Sequence, residues 1–465
     1  MRKTQVILEA QIPFNTNLPE QKSAKLKRVL TRRDLIVYGL AILTPTAAYP
    51  VFGVVQQISN GHAPLSYITA MAAMLFTALS YAEMSAVFPA AGSTYTFAQK
   101  ALHPSIGFFA GWAIILDYVL VPMLSAVYVG VTAVRILPGV PYAFWIFVFC
   151  AAITVINVRG IQVTQRANTI MLAMMIVSAV IFCVLCLRFL LTRFGWPGLI
   201  QPTAIFNPLT FSLPALTAGA AVATLSYLGF DAVSTLAEES KDPHRDLGVA
   251  IVSVCLLQTV ICFLVVYLAA VVWPEWRNFQ NTDTAILDIS SRAGGPLLFG
   301  MTTIVLLVAA VASSIASQAS AARLLFGMGR DGILPPSIFA QLHPRYATPY
   351  RSTLLMGVIS LVGAMATTFQ MVVELVNFGA FVGFILVNLS VIGHYFVNEH
   401  QRQSTYHYLR YLVSPLLGAV VCTWVWLSLS VPARMTGFVW LGLGLIYLAW
   451  ATRGFRRSIR SIELP

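Results

Sequence analysis

Charge is what this 465-residue chain most lacks. Only 10% of its residues are charged, against 58% hydrophobic, and the mean hydropathy is +0.78. A soluble domain carries about a quarter of its residues as charges, so a water-facing surface over the whole chain is excluded. The first thirty residues are polar and basic (Arg2, Lys3, Lys22, Lys25, Lys27, Arg28) and lack an apolar run, so no cleavable signal is expected. Six cysteines, Cys150, Cys183, Cys186, Cys255, Cys262 and Cys422, all fall in apolar stretches. They imply packing rather than a disulfide framework, and the CxxC of Cys183 and Cys186 has no charged neighbour to activate a thiol. No HExxH occurs, and of seven histidines only His394 lies inside an apolar segment. No enzyme, metal site or cofactor is therefore expected.

What is present is a succession of apolar runs long enough to cross a bilayer, about 20 residues each. They lie near 33–57, 65–88, 106–134, 143–158, 167–194, 213–237, 247–273, 296–322, 352–369, 372–396, 411–430 and 432–452. The period-two alternation of barrel strands is missing, so the spans are predicted to be helices that satisfy their own backbone. With the amino terminus inside, the inner segments hold 23 Lys and Arg and the outer ones 6: Arg135, Arg188, Arg193, Arg277, Arg292 and Arg434. The positive-inside rule then predicts twelve spans in the cell (inner) membrane with both termini cytoplasmic. The net charge of +12 needs no nucleic-acid partner; it fits loops facing anionic lipid.

Two spans are interrupted at corresponding places. In the first, LTPTAAYPVFG puts Pro45 and Pro50 mid-span, and Thr44 and Tyr49, each preceding a proline, are expected to leave helical geometry. In the sixth, SYLGFDAVSTLAEES sets Gly229 and the ionisable Asp231 near mid-membrane, where an acid costs roughly 2.5–3.5 kcal/mol. Breaks five spans apart point to an inverted-repeat transporter with its site at the midplane, which a channel or receptor would not need.

These residues resemble the amino acid, polyamine and organocation superfamily, and within it the bacterial putrescine importers. The likeness runs from about Leu35 to Arg457. It is carried by GLAILTPTAAYPVFG from Gly39, FPAAGSTYTFAQKALHPSIGFFAGW from Phe88, SYLGFDAVSTLAEESKDPHRDL from Ser226, ARLLFGMGRDGILP from Ala322 and NFGAFVGFILVNLSVIGHY from Asn377. The resemblance implies an all-α membrane fold of about twelve helices whose core is two five-helix inverted repeats. It also implies cation-coupled movement of amines or amino acids. The chain divides accordingly into a tail (1–32), a ten-helix core with discontinuous helices 1 and 6 (33–396), two peripheral helices (397–452) and a second tail (453–465).

Of seventeen acids, Asp117 on the third span and Asp231 on the sixth are the deep ones, whereas Glu83 is placed to pair with a loop cation. By position in the family, Asp117, Tyr118, Leu228 and Asp231 match residues that line or gate the substrate cavity. The faces of Tyr49, Tyr118 and Tyr227 offer an ammonium contacts of about 0.5–2 kcal/mol. Amino-acid members typically hold the substrate carboxylate on bare amides of a glycine-rich first break. Here Thr44, Pro45 and Thr46 stand there, which weakens that cradle. A diamine such as putrescine, with no carboxylate, is the expected substrate, and an amino acid the alternative. Expected substrate contacts are thus Thr44, Thr46, Tyr49, Asp117, Tyr118, Tyr227, Leu228 and Asp231.

For coupling, a proton is favoured over sodium, with Asp231 as its carrier. The lysine that some proton-coupled members keep in the fifth span is replaced near Met175, and no lysine lies between Lys100 and Lys241. A sodium site would draw on Ser313, Ser314 and Ser317. A dication also gains about 4.6 kcal/mol from a 100 mV inside-negative potential, with no coupled ion. The loops EESKDPHRDL and RLLFGMGRDGILPPSIF resemble inner-gate segments of the family, with Glu238, Glu239, Arg245 and Arg330 as candidate ion-pair partners.

Overall fold

The computed structural model describes residues 30–89, 93–160, 165–237, 239–330, 335–346 and 348–452. Among these residues no strand forms; one isolated bridge pairs Leu30 with Ser240. Nine of the described helices are long and apolar enough to cross a membrane, and one bent pair adds a further span. Two shorter apolar helices, Tyr142–Val158 and Tyr350–Ala366, are 17 residues each, the lower limit for crossing. Every expected apolar run is therefore a helix.

In chain order, span 1 is Arg32–Leu43 plus Ala48–Ile58, span 2 Ala63–Val87, span 3 Pro104–Ile136, span 4 Tyr142–Val158 and span 5 Gln165–Phe194. Span 6 is Leu213–Leu236 with a break, span 7 Pro243–Val272, and span 8 the part of Ala285–Arg330 that follows a non-helical Gly295. Span 9 is Tyr350–Ala366, span 10 Phe369–Val391 continued by a π-helical Ile392–Asn398, span 11 Thr405–Leu427 and span 12 Val431–Ala451. Spans 2, 3, 6, 7 and 12 carry proline in the first turn, where a missing N–H leaves no helical bond unmade. A short helix, Ser93–Ala101, occupies the connection after span 2. The face at which span 1 begins is called here the amino-terminal face.

Between apolar helices in an apolar solvent, polar contacts and close packing replace the hydrophobic drive. Asn388 of span 10 donates to Thr77 (3.0 Å) and accepts from Ser80 (2.7 Å), both on span 2. Gln318 of span 8 bonds Thr154 (3.1 Å) and Asn157 (2.7 Å) of span 4. Glu374, a buried acid the sequence reading did not weigh, accepts from Gln370 (2.7 Å) and from the Ser430 amide (2.8 Å), joining span 10 to the start of span 12. Glu83 meets a cation as expected, Arg410 at 2.6 Å, but from the first turns of span 11 rather than from a loop. Arg135, at the end of span 3, pairs with Asp288 and also donates to the Thr284 hydroxyl at 2.8 Å.

Candidate functional site

The first break begins at Thr44. Pro45 bars the residue before it from helical geometry, and Thr44 takes φ +56°, a conformation a β-branched residue adopts only under constraint. The helix restarts at Ala48, bent by 56° from the first half. Tyr49 does not leave the helix as expected. It is the second residue of the new half-helix, so Pro50 falls in a first turn with no preceding turn for its ring to strike.

The sixth span stops being α-helical at Ala223, tightens into a 3₁₀ turn over Thr224–Tyr227, extends at Leu228 and resumes as 3₁₀ at Asp231–Leu236. Gly229 turns the chain with φ +118°. It also brings the two breaks together, since a Cβ there would lie 2.7 Å from Ile42 Cγ2 and 3.5 Å from the Ile42 and Leu43 backbone. No other residue type meets both demands.

Gln258 of span 7 binds both breaks with one amide group. Its Nε2 donates to the Thr44 carbonyl (3.1 Å) and to the Ser226 carbonyl (3.0 Å), satisfying two acceptors that the interruptions free. Nearer the amino-terminal face, Leu30 N–H donates to Glu239 O (3.0 Å), Lys241 N–H donates to Leu30 O (2.9 Å), and Arg32 pairs with Asp246 at 2.7 Å. Spans 1 and 6 are thus tied at the centre and at one end.

Beside the breaks lies a cavity of about 780 Å³, walled by both interruptions, by spans 3 and 8, by Ser93–Tyr95 and by Tyr447 of span 12. It reaches Thr235, Ser320 and Arg323 near the amino-terminal face. Toward the opposite face it ends at Tyr128 and Phe369, whose rings stand 5.6 Å apart. Beyond them the second half of span 1 is buried from Val51 to Gln56, with Phe52 edge-on to Phe279 at 6.3 Å.

Of the expected substrate contacts, Thr44, Thr46, Asp117, Tyr118, Leu228 and Asp231 all line this cavity. Asp231 accepts the Gly229 N–H at 3.2 Å, and Asp117 has neither hydrogen bond nor ion pair among the described residues. Arg323, at the far rim, is the only basic residue on the described wall. Tyr49 and Tyr227 line no part of it. Tyr49 is 1% exposed with its ring on Phe182 at 5.3 Å, and Tyr227 is fully buried, donating to Tyr67 O at 3.2 Å. Both rings point into the helix packing, so in this conformation they offer no face to a ligand.

Ser313 and Ser317 face the cavity with Ser320 one turn on, whereas Ser314 is fully buried on another side of span 8. The three serines expected for sodium do not converge. Of the inner-gate candidates, Glu239 serves through its backbone carbonyl, and Arg245 is exposed with no ion pair among the described residues. Glu238 and the Arg330 side chain lie outside the described residues.

Sequence reasoning missed Gln258, Trp112 and Tyr447. Gln258 carries no charge and so was not counted as costly in lipid, although a lone amide in VSVCLLQTVICF was the available signal. Span 12, expected to be peripheral, gave no sign that Tyr447 would reach the cavity.

The family model described as amino acid permease matches residues 41–447. Among curated proteins, the chain is similar to the low-affinity putrescine importer PlaP of Escherichia coli, 31% identical over 453 residues, 96% of this chain and 98% of the relative. It is similar also to a methylthioribose transporter of Bacillus subtilis (27% identical; 95% and 97% of the two chains). A third relative is the branched-chain amino acid permease BcaP of the same organism (28% identical; 90% and 92%).

Proposed function

Because this chain belongs to the amino acid permease family of membrane transporters, we propose that it is a secondary transporter carrying a small organic amine, putrescine or a related polyamine, into the cell by alternating access. The observation that carries this reading is the pair Asp117 and Asp231, which share one cavity at two helix breaks with no cationic partner among the described residues. An unpaired acid at membrane depth costs roughly 2.5–3.5 kcal/mol, which a bound cation or a proton offsets, and the cavity has room for an organic amine. The first break supports an amine over an amino acid. Pro45 has no N–H, and the Ala47 N–H is spent on Thr44 O at 2.9 Å, which leaves fewer amides of the break for a carboxylate. The relative named as a putrescine importer, similar over nearly the full length of both chains, agrees with this.

In this reading both termini are cytoplasmic, the amino-terminal face is the inner one, and the cavity is open inward with its outer side closed. Residues 33–396 form the ten-span core of two inverted repeats, and 397–452 add two spans. Asp231 is the proton carrier if uptake is proton-coupled; the membrane potential alone supplies about 4.6 kcal/mol per 100 mV for a dication. The second reading, an amino-acid permease, is favoured by the branched-chain permease among the relatives.

Radiolabelled putrescine uptake into vesicles reconstituted with the full chain, competed by spermidine, arginine, lysine and neutral amino acids, separates the two. We expect diamines to compete best, and Asp117→Asn and Asp231→Asn each to cut uptake at least tenfold. Full uptake in both variants would make the acids structural, and stronger competition by neutral amino acids would favour the second reading.

A further inference from the structure

Asp117 and Asp231 line one cavity, and toward the amino-terminal rim its wall turns aromatic. Phe108 and Trp112 are separated by 5.9 Å, Phe108 and Tyr447 by 6.0 Å, and Trp112 and Tyr447 by 5.8 Å. The interplanar angles are 24°, 17° and 12° in the same order. Three nearly parallel rings with equal separations cannot form a column, because in a column the outer two would stand twice as far apart as neighbours. They form a staggered panel of slipped, near-parallel rings, because centres no more than 6.0 Å apart leave no room for the rings to lie edge to edge in one plane, and all three residues border the cavity.

The panel is held from behind. Trp440 stacks on Trp112 at 4.7 Å, and the two indoles exchange hydrogen bonds, Trp112 Nε1 to Trp440 O (2.9 Å) and Trp440 Nε1 to Trp112 O (3.0 Å). Span 12 approaches this closely because residue 444 is glycine; a Cβ there would lie 2.5 Å from Trp112 Cδ1. Trp112, fixed in this way, needs no reordering to receive a ligand, which removes part of the cost of binding.

On span 3, Trp112 and Phe108 precede Asp117 by five and nine residues. At 1.5 Å per residue they lie about 7.5 and about 13.5 Å from it along the helix axis. That range is commensurate with the separation of the two ammonium groups in an extended α,ω-diamine or polyamine. A ring face attracts a cation by its quadrupole and needs no N–H donor, unlike a carboxylate.

We propose that the Phe108, Trp112 and Tyr447 panel is a second cation subsite, which takes the far ammonium of an extended di- or polyamine while the near one is held at Asp117 and Asp231. This rests on the reading of the cavity as an amine site. The subsite makes the transporter select for amines with two separated charges over monoamines, and tolerate alkylation at one end.

The test is competition against radiolabelled putrescine uptake by the full chain in vesicles. The competitors are butylamine, diamines from propane- to octanediamine, and a butanediamine bearing a trimethylammonium at one end. In the wild-type protein the quaternary-ended probe and the diamines are expected to outcompete butylamine by about tenfold. Phe108→Leu and Tyr447→Leu should remove most of that advantage, and Tyr447→Phe, which keeps the ring, should restore it. The comparison is a ratio of competitors on one protein sample, so lower folded yield of a variant cancels. The subsite is overturned if the wild type excludes the quaternary-ended probe while accepting diamines, or if the leucine variants keep the wild-type ratio. Stronger competition by neutral amino acids than by any diamine would instead overturn the amine reading beneath it.

Discussion

Replacing Gln258 by leucine removes one side-chain amide that serves two helix breaks. The Thr44 and Ser226 carbonyls, now bonded at 3.1 and 3.0 Å, would each lose a donor. Within membrane proteins such bonds are worth about 0.6 kcal/mol on average and up to about 1.7. Two of them put the loss at about 1–3 kcal/mol. Gln258 Oε1 is buried without a partner, so removing it returns part of this, and about 1–2 kcal/mol remains. Because the bonds are to the two interruptions, the loss falls on the arrangement that holds them in register beside Asp231. A change of that size alters the population of the arrangement about fivefold to thirtyfold. Initial rates of putrescine uptake into vesicles should show a lower maximal rate of that order, with a small fall in thermal stability in detergent. Gln258→Asn, one methylene shorter, should keep one bond and fall between. Wild-type maximal rates in both variants would refute the role given to Gln258.

Gly229→Ala should lower thermal stability by about 1–3 kcal/mol and impair uptake, since alanine at φ +118° is strained and its Cβ meets Ile42; unaltered melting and uptake would contradict the contact between the breaks. Arg135→Ala strands Asp288 in a mostly buried position and should destabilise by about 1–3 kcal/mol, with the Arg135→Ala, Asp288→Ala double variant recovering part of the loss in a melting experiment. Glu83→Gln should shift stability by no more than about 1 kcal/mol and leave competition profiles unchanged, because its Arg410 partner is 42% exposed and the pair lies outside the cavity wall.

Features set by short stretches of chain could be read before folding was known. Length and apolarity dictate a helix wherever lipid forbids unpaired backbone, so all twelve runs were recognisable, and Pro45 forces the break at Thr44 through a contact between adjacent residues. Asp117 and Asp231 stood out because a charge in an apolar run is rare, whatever surrounds it. Rotation of each helix about its axis was another matter. In a membrane both lipid and protein neighbours are apolar, so the pattern of residues around a helix scarcely marks which side packs inward. Packing alone turned Tyr49 and Tyr227 away from the cavity, carried Tyr447 of the last span into its wall, and set Gln258 between two carbonyls that lie 214 and 32 residues from it along the chain.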